Sequence, residues 1–251
     1  MFKSIELDKI EQIAHEAGDA IMQIYRKDFQ IEYKEDNSPL TEADTKANEI
    51  ICDALLKLYP NIPIMSEENK QIEYEIRKEW EYYWCIDPID GTKEFIKKND
   101  EFTVNIALIH KHTPVLGVVY APAINEMYKA KQGEGAFKNS EKLPLQKNSY
   151  PNEKLFVVAS KSHLSEETQK FIDALDTKEI VQISKGSSLK LCMVAEGVAD
   201  IYPRLAPTME WDTAAADAIV RESGNMTYQF DKQEPMLYNK ENLLNPWFIV
   251  K

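Results

Sequence analysis

In its first half the chain reads Trp84-Cys85-Ile86-Asp87-Pro88-Ile89-Asp90-Gly91-Thr92-Lys93-Glu94-Phe95. The apolar and aromatic residues 82–86 predict a buried strand, because such side chains fit a pleated surface. Pro88 cannot donate a ladder hydrogen bond, and Asp90-Gly91 is typical of a turn, so the strand ends here. Two carboxylates, a backbone carbonyl and a hydroxyl therefore lie at its end. This set predicts the floor of a site for a hard divalent cation, which prefers oxygen ligands.

The composition indicates a folded protein with a sizeable core and an acidic surface. The 251 residues are 43% hydrophobic, enough for one large domain or two lobes, and the formal net charge is −12. Such a charge argues against nucleic acids and anionic membranes as main partners. A small anionic substrate is still compatible with it, because a bound metal reverses the local field.

The cysteines and the apolar runs indicate the compartment. Cys52, Cys85 and Cys192 form no CxxC pair and have apolar neighbours, so we interpret them as reduced core thiols. No signal-peptide pattern opens the chain, and no apolar run is long enough to span a bilayer. We therefore expect a cytoplasmic protein without a transmembrane segment, for which any association with the inner membrane is peripheral.

Hydrophobic periodicity predicts helices and hairpins first and alternating elements later. Helices are predicted at about 8–26, 41–59, 165–175, 188–196 and 212–223, the last closed by Gly224. Strands are predicted at about 29–33, 102–109, 115–120, 126–131, 155–159, 179–183 and 200–202. The polar segment 139–151 is interpreted as a lobe boundary. We therefore expect a layered α/β protein with an N-terminal α+β lobe at 1–145 and a C-terminal α/β lobe at 146–251.

Three further acidic motifs are candidates for the same site, although each has an ordinary structural interpretation. Ser66-Glu67-Glu68 follows a short strand signal, but paired glutamates are usually solvated surface. Asp212 precedes an Ala-rich helix, where an aspartate is most often an N-cap. Thr41-Glu42-Ala43-Asp44 fits a capping box and indicates a helix start. Only the stretch 87–92 is hard to explain by folding alone.

Together these motifs resemble one enzyme superfamily. Glu67, Asp87-Pro88-Ile89-Asp90-Gly91-Thr92 and Trp211-Asp212 are similar to the motifs of the lithium-sensitive, Mg²⁺-dependent phosphatases. That superfamily includes inositol monophosphatases, fructose-1,6-bisphosphatases and 3′(2′),5′-bisphosphate nucleotidases. The resemblance extends to about Gly224 and implies a layered α/β/α/β/α sugar-phosphatase fold. An antiparallel-rich N-terminal sheet, a smaller C-terminal α/β sheet and a site between two lobes are expected.

The resemblance also implies a role for each site residue. The expected metal ligands are Glu67, Asp87, the Ile89 carbonyl, Asp90 and Asp212. The expected catalytic residues are Asp44, Glu67, Asp87 and Thr92. Without metal these carboxylates would repel one another, so two or three Mg²⁺ ions are expected, with Li⁺ as an inhibitor. The metals would activate a water for in-line attack, with Thr92 and Asp44 orienting or deprotonating it.

The C-terminal half carries the signals for the substrate. Residues 185–192 look like a loop that leads into a helix, and helix starts bind anions readily. Where inositol monophosphatases carry a glutamate, this chain resembles the bisphosphate nucleotidases in having Arg204, whose guanidinium suits a second phosphate. The expected substrate-binding residues are Glu67, Ile89, Asp90, Gly91, Thr92, Ser187, Lys190, Arg204 and Asp212.

These features predict a 3′(2′),5′-bisphosphate nucleotidase, monomeric or homodimeric, that hydrolyses 3′-phosphoadenosine 5′-phosphate to AMP and phosphate. Residues 91–95 and Ser162-His163 also resemble the bacterial nucleotidases. One alternative is an inositol monophosphatase or another sugar-phosphate phosphatase of the superfamily, and another is a non-catalytic, metal-binding regulatory module. An aspartyl-nucleophile phosphatase is disfavoured, because its Asp-x-Asp motif is one residue shorter than the spacing from Asp87 to Asp90.

Overall fold

The computed structural model describes residues 2–27, 31–33, 39–145, 154–160 and 164–251. A short 3₁₀ turn at Phe2–Ser4 precedes the first helix. The helices in these ranges are Leu7–Tyr25 (α1), Glu42–Leu58 (α2), Tyr74–Arg77 (α3), Thr92–Ile96 (α4), Glu166–Asp173 (α5), Leu189–Glu196 (α6) and Ala214–Glu222 (α7). The strands are Ile31–Tyr33 (β1), Pro39–Thr41 (β2), Ile64–Ser66 (β3), Tyr82–Asp90 (β4), Thr103–His110 (β5), Thr113–Ala121 (β6), Glu126–Lys131 (β7), Gly135–Lys138 (β8), Glu141–Lys142 (β9), Lys154–Ser160 (β10), Glu179–Lys185 (β11), Tyr202–Arg204 (β12), Thr227–Gln229 (β13) and Phe248–Val250 (β14).

The largest sheet has seven strands in the order β3-β4-β5-β6-β7-β8-β9. β3 runs parallel to β4, and every later neighbour is antiparallel. Strands that follow one another in sequence are therefore neighbours in space, joined by short turns such as Lys111-His112 between β5 and β6. The prediction of an antiparallel-rich N-terminal sheet is confirmed.

Side chains alternate along the central strands and so enter two different cores. In β4, Trp84 and Ile86 belong to the core that contains the apolar faces of α1 and α2. Tyr83 and Cys85 belong to the core that contains α6 and α7. Because helices cover both faces of the sheet, its central strands read as nearly continuous apolar runs.

The C-terminal part adds a second, smaller layer of strands. β12, β14 and β13 form an antiparallel sheet in that order, and β10 pairs in parallel with β11. A bridge between Val157 and Ile201 connects the two sheets. Ile172 of α5 shares a small core with Val157, Ile201 and Ile249. The layers are thus α1 and α2, the main sheet, α6 and α7, the smaller sheets and α5, which confirms the predicted α/β/α/β/α fold.

Some element boundaries differ from the predicted ones. α7 begins at Ala214 rather than at 212, because residues 211–213 form turns. β12 begins at Tyr202 rather than at 200, since the Asp200 carboxylate accepts the Phe156 N–H at 2.7 Å instead of continuing the strand. The helices α3 and α4 have four and five residues, too few for apolar periodicity to reveal them.

Several predictions concern residues outside the described ranges. These are Ser162-His163, part of the strand at 29–33 and residues 146–151 of the boundary at 139–151. The division into lobes at residue 145 stays a prediction. Among the described residues, no helix combines the length and apolar character needed to cross a membrane.

Gly117 in β6 allows the main sheet and α7 to approach closely. A Cβ atom at this position would lie 2.1 Å from the Ala215 carbonyl oxygen and 2.8 Å from the Ala218 Cβ atom. Because a helix backbone cannot move aside without loss of packing, Gly117→Ala should lower the free energy of unfolding in urea by about 3 kcal/mol.

Gly133→Ala is the control for this prediction. Its Cβ atom would meet nothing within 4 Å, although the φ of +82° disfavours a side chain. We expect this variant to lose only about 1–2 kcal/mol, the cost of the left-handed backbone. Gly117→Ala is expected to lose more, and a smaller loss for it would contradict the importance of the close contact.

Candidate active site

A β-bulge at the end of β4 brings two aspartates to the same face of the sheet. Asp87 pairs with Asn105 and Asp90 with Thr103, so β4 advances three residues where β5 advances two. In a regular strand, side chains three residues apart point to opposite faces. The extra residue cancels this alternation, and both carboxylates face the side of the sheet that α6 and α7 cover.

Local hydrogen bonds hold the bulge and the turn that follows it. The Ile89 N–H donates to Asp87 Oδ1 at 3.0 Å. The Thr92 hydroxyl, at the start of α4, lies 3.2 Å from both the Ile89 carbonyl oxygen and Asp44 Oδ1, and donates to one of them. Gly91 has a φ of +94°, a conformation that glycine adopts without strain.

Two more carboxylates reach the cluster from distant parts of the chain. Glu67 follows β3, and its N–H donates to the Ile86 carbonyl at 3.1 Å, which continues the pairing with β4. Asp212 lies in the turn before α7, and its Oδ2 accepts the Met209 N–H at 2.9 Å. One carboxylate oxygen each from Glu67, Asp87 and Asp212 lies within 4.8 Å of the others.

Burial and mutual repulsion raise the pKa values of this cluster. Burial raises the pKa of Asp87 well above its usual range, and the charges of Glu67, Asp90 and Asp212 raise it further. Burial and the Asp90 charge also raise the pKa of Asp212 to about 8. A divalent cation between these oxygens would remove the repulsion, and Mg²⁺ prefers an all-oxygen ligand set. The residues therefore fit a Mg²⁺ site.

The cluster lines a cavity of about 280 Å³. The predicted site residues that line it are Glu67, Asp87, Ile89, Asp90, Gly91, Thr92, Ser187, Lys190, Arg204 and Asp212. Asp44 lies behind Thr92 instead, and its Oδ2 accepts the Thr41 N–H at 2.8 Å in the capping box of α2. The capping-box prediction is confirmed. The N-cap interpretation of Asp212 is wrong, because Thr213 occupies that position.

Cationic and polar groups from α6 and β12 line the same cavity. Burial lowers the pKa of Lys190 to about 8, and its Nζ donates to the Ser187 carbonyl at 2.6 Å. Nη2 of Arg204 donates to the Pro207 carbonyl at 2.9 Å. The Arg204 Nε and the Ser187 hydroxyl are buried and have no partner among the described residues. Because unsatisfied buried donors are costly, these atoms suit the oxygen atoms of a ligand.

Residues 5–247 match the inositol monophosphatase family. The chain belongs to the inositol monophosphatase family. A relative from Shigella flexneri, 3′(2′),5′-bisphosphate nucleotidase CysQ, is 46% identical over 250 residues. The alignment covers 97% of this chain and 98% of the relative. The same-named protein of Escherichia coli strain K12 is 45% identical over 247 residues. The alignment covers 97% of this chain and 98% of that protein.

Solved structures of the family have the same fold. The crystal structure of CysQ from Bacteroides thetaiotaomicron, a bacterial member of the family, has 45% identity and a TM-score of 0.88, covering 98% of this chain and 96% of its own. The extragenic suppressor protein suhB from Bartonella henselae has 26% identity and a TM-score of 0.79, covering 97% and 92%. The family consists of Mg²⁺-dependent phosphatases, so the predicted superfamily and enzyme class are confirmed.

Polar residues beside the site that are not among the sequence-predicted ones include Asn105, Ser188 and Glu101. Asn105 is a polar residue within the apolar strand run at 102–109, and that contrast is the signal that could have found it. Glu101 accepts the Gly186 N–H at 2.8 Å and so positions the loop that carries Ser187. Ser188 opens the predicted helix at 188–196, which indicates a cap rather than a site, and no local pattern distinguishes Glu101 from an ordinary loop residue.

The raised carboxyl pKa values predict how the stability of the metal-free protein depends on pH. The folded protein binds protons more tightly than the unfolded chain between the ordinary carboxyl value of 3.8 and the Asp212 value of about 8. Folding therefore takes up protons in this window, and stability should fall as pH rises through it. Melting temperatures in EDTA should accordingly be higher at about pH 6 than at about pH 8.

Added Mg²⁺ should remove most of this pH dependence, because a bound cation stabilises the ionised carboxylates. Asp212→Asn, which removes one of the titrating groups, should reduce the slope measured in EDTA. Melting temperatures in EDTA that rise with pH over this range would contradict the raised pKa values.

Proposed function

We propose that this protein hydrolyses the 3′-phosphate of 3′-phosphoadenosine 5′-phosphate, giving AMP and phosphate. One observation carries the proposal, namely that a single cavity is lined by an acidic cluster suited to Mg²⁺ and by Lys190 and Arg204. A substrate with one phosphate to cleave and another to anchor uses both sets of residues. The names of the relatives from Shigella flexneri and Escherichia coli support the same activity.

The acidic cluster would hold the metal and place the reacting phosphate. Glu67, Asp87, Asp90, Asp212 and the Ile89 carbonyl are the proposed ligands. When bound, Mg²⁺ would neutralise the phosphate oxygens and make a water more acidic.

Thr92 and Asp44 would handle the proton that the attacking water loses. The Thr92 hydroxyl, which lines the cavity, lies 3.2 Å from Asp44 Oδ1. As Thr92 Oγ1 accepts a proton from the water, its own hydroxyl proton can pass to Asp44 Oδ1 along this hydrogen bond. The remaining acceptor, the Ile89 carbonyl at 3.2 Å, allows the hydroxyl to rotate without losing its partner.

Lys190 and Arg204 would bind the second phosphate. Arg204 Nη2 donates one of its two N–H groups to the Pro207 carbonyl, so the guanidinium keeps further N–H donors for a ligand. An anionic phosphate beside Lys190 would favour the charged ammonium against its burial. This cationic pair favours a bisphosphate nucleotide over inositol phosphates, whose hydroxyl groups offer no charge to it.

The proposal extends to the setting of the reaction. We infer a cytoplasmic enzyme of sulfur assimilation with two or three Mg²⁺ ions, inhibited by Li⁺, that is monomeric or homodimeric and has at most a peripheral membrane association. The net charge of −12 supports a small-molecule rather than a nucleic-acid partner. Cys52, Cys85 and Cys192 are free, which supports a reducing compartment.

A phosphate-release panel tests the activity and its metal site. With Mg²⁺, the wild-type protein should release phosphate faster from 3′-phosphoadenosine 5′-phosphate than from inositol 1-phosphate or fructose 1,6-bisphosphate, and Li⁺ should slow it. Asp87→Asn should reduce release from all three to background, because it removes a ligand at the centre of the cluster. Circular dichroism should show an unchanged fold.

Asp231→Asn is the matched control for this substitution, since Asp231 is exposed. It should keep full activity. Near-normal turnover by Asp87→Asn would eliminate this site as the catalytic one. Mg²⁺-dependent melting without phosphate release from any substrate would instead favour a non-catalytic, metal-binding module.

A second variant tests the nucleotide assignment. Arg204→Glu should lower kcat/KM for the bisphosphate nucleotide by an amount equivalent to about 2–5 kcal/mol, because it replaces a charge-assisted contact with a repulsive one. The loss for inositol 1-phosphate should be much smaller. Arg26→Glu makes the same charge change at an exposed position and should affect neither substrate. Equal losses on both substrates for Arg204→Glu would remove the nucleotide assignment but not the phosphatase class.

A further inference from the structure

The Ser188 hydroxyl links three separate chain segments beside the acidic cluster. Its Oγ lies 2.8 Å from Asp90 Oδ2 and 2.7 Å from the Asp212 carbonyl oxygen. It accepts a hydrogen bond from the Asn105 side-chain amide at 2.9 Å. Asp90 ends β4, Asn105 lies in β5, and Asp212 precedes α7. One hydroxyl therefore contacts two proposed ligand residues that are far apart in sequence.

This hydroxyl is not used to build its own helix. Ser188 occupies the N-cap position of α6, where a serine side chain usually accepts a hydrogen bond from an N–H of the first turn. Here the side chain makes no cap hydrogen bond. The Ser188 carbonyl still accepts the N–H groups of Leu191 and Cys192 at 3.1 and 3.3 Å. The side chain is thus directed at the site instead of the helix.

The donor and acceptor capacity of the Ser188 hydroxyl limits which bonds it can make. It has one proton to donate, and the Asn105 amide occupies a lone pair, so the proton goes to Asp90 or to the Asp212 carbonyl. Ser188 and Asn105 are each 1% exposed, so water does not compete for these bonds. The Asn105 Oδ1 has no partner among the described residues. Asn105 is therefore held in place as a donor to Ser188 at the cost of an unsatisfied acceptor.

We propose that Ser188, held by Asn105, is a positioning residue that presets Asp90 and the Asp212 segment for Mg²⁺ binding. The inference rests on the proposed function, since it takes both residues as metal ligands. Ionised carboxylates repel one another without metal. One hydroxyl within hydrogen-bond distance of both Asp90 and the Asp212 carbonyl, able to donate to either, opposes their separation. Within the Asp90 carboxylate, the hydroxyl contacts Oδ2.

Magnesium affinity is the measurement that tests this role. Ser188→Ala should weaken Mg²⁺ binding about tenfold or more, the scale found when a group that orients a metal ligand is lost. The probe is MgCl₂ alone, titrated by calorimetry into metal-free protein without substrate. Ser188→Thr keeps the hydroxyl and should stay within about threefold of the wild-type affinity.

Ser223→Ala is a matched control that separates positioning from stability. The Ser223 hydroxyl also donates to a carbonyl, that of Val220 at 2.7 Å, and also accepts from an asparagine amide, that of Asn225 at 3.1 Å. It lies at the far end of α7 from Asp212. This variant should lower the melting temperature of the metal-free protein yet leave the Mg²⁺ affinity unchanged.

Asn105→Ala tests whether the amide acts through the hydroxyl. It should weaken Mg²⁺ binding on its own, and the double variant with Ser188→Ala should bind Mg²⁺ no more weakly than Ser188→Ala alone. Should Ser188→Ala fail to fold, Asn105→Ala carries the test by the same titration. Wild-type Mg²⁺ affinity in Ser188→Ala, or in Asn105→Ala if only that variant folds, would overturn the inference, as would additive losses in the double variant.

The two proposals fail in different experiments. A wild-type protein that binds Mg²⁺ but releases no phosphate from the bisphosphate nucleotide would overturn the proposed function. The Ser188 inference would then still be supported by a tenfold weaker Mg²⁺ affinity in Ser188→Ala. Full phosphatase activity together with unchanged Mg²⁺ affinity in Ser188→Ala would overturn the inference alone.

Discussion

Mutual repulsion between buried carboxylates is the constraint around which this structure is arranged. Asp87 and Asp90 share one face of β4, while Glu67 and Asp212 arrive from β3 and from the turn before α7. In water these groups would separate, and burial makes their proximity more costly still. Only a rigid framework can hold them together without metal, and the same cost becomes the driving force for binding a divalent cation. The raised pKa values of Asp87 and Asp212 result from this burial and repulsion.

The framework consists of the main sheet, the α7 packing on it and a small polar network. Hydrogen bonds fix β3, β4 and β5 next to one another, and Gly117 lets α7 lie against the sheet so that Asp212 reaches the end of β4. The Ser188 hydroxyl then ties the α6 start to Asp90 and to the Asp212 backbone. Apolar packing places the carboxylates within range, and polar contacts set their final positions.

Lys190 and Arg204 supply the positive charge that an acidic protein needs in order to attract an anion. Lys190 and Arg204 come from α6 and β12, which are not part of the main sheet that carries Asp87 and Asp90. Their charges lie in the same cavity as Asp90 and Asp212. The Lys190 charge lowers the pKa of Asp90 and the Arg204 charge lowers the pKa of Asp212, each against the larger rise that burial causes. In the proposed function, a protein of net charge −12 would thus present a local anion site. The cavity would combine metal ligands with the residues that bind a second phosphate.

The amino-acid sequence by itself determined the family, the order of the hairpin strands and the residue types of the candidate metal site, because short motifs and apolar periodicity are local properties. It did not determine that Asp87 and Asp90 share a face, since that depends on a bulge in the pairing with β5. The local pattern at Asp212 even pointed to a helix cap, whereas the carboxylate joins the cluster. Asn105 and Ser188 meet across 83 residues of sequence, and only the tertiary structure could decide such a contact, because it depends on how whole layers pack rather than on neighbouring residues.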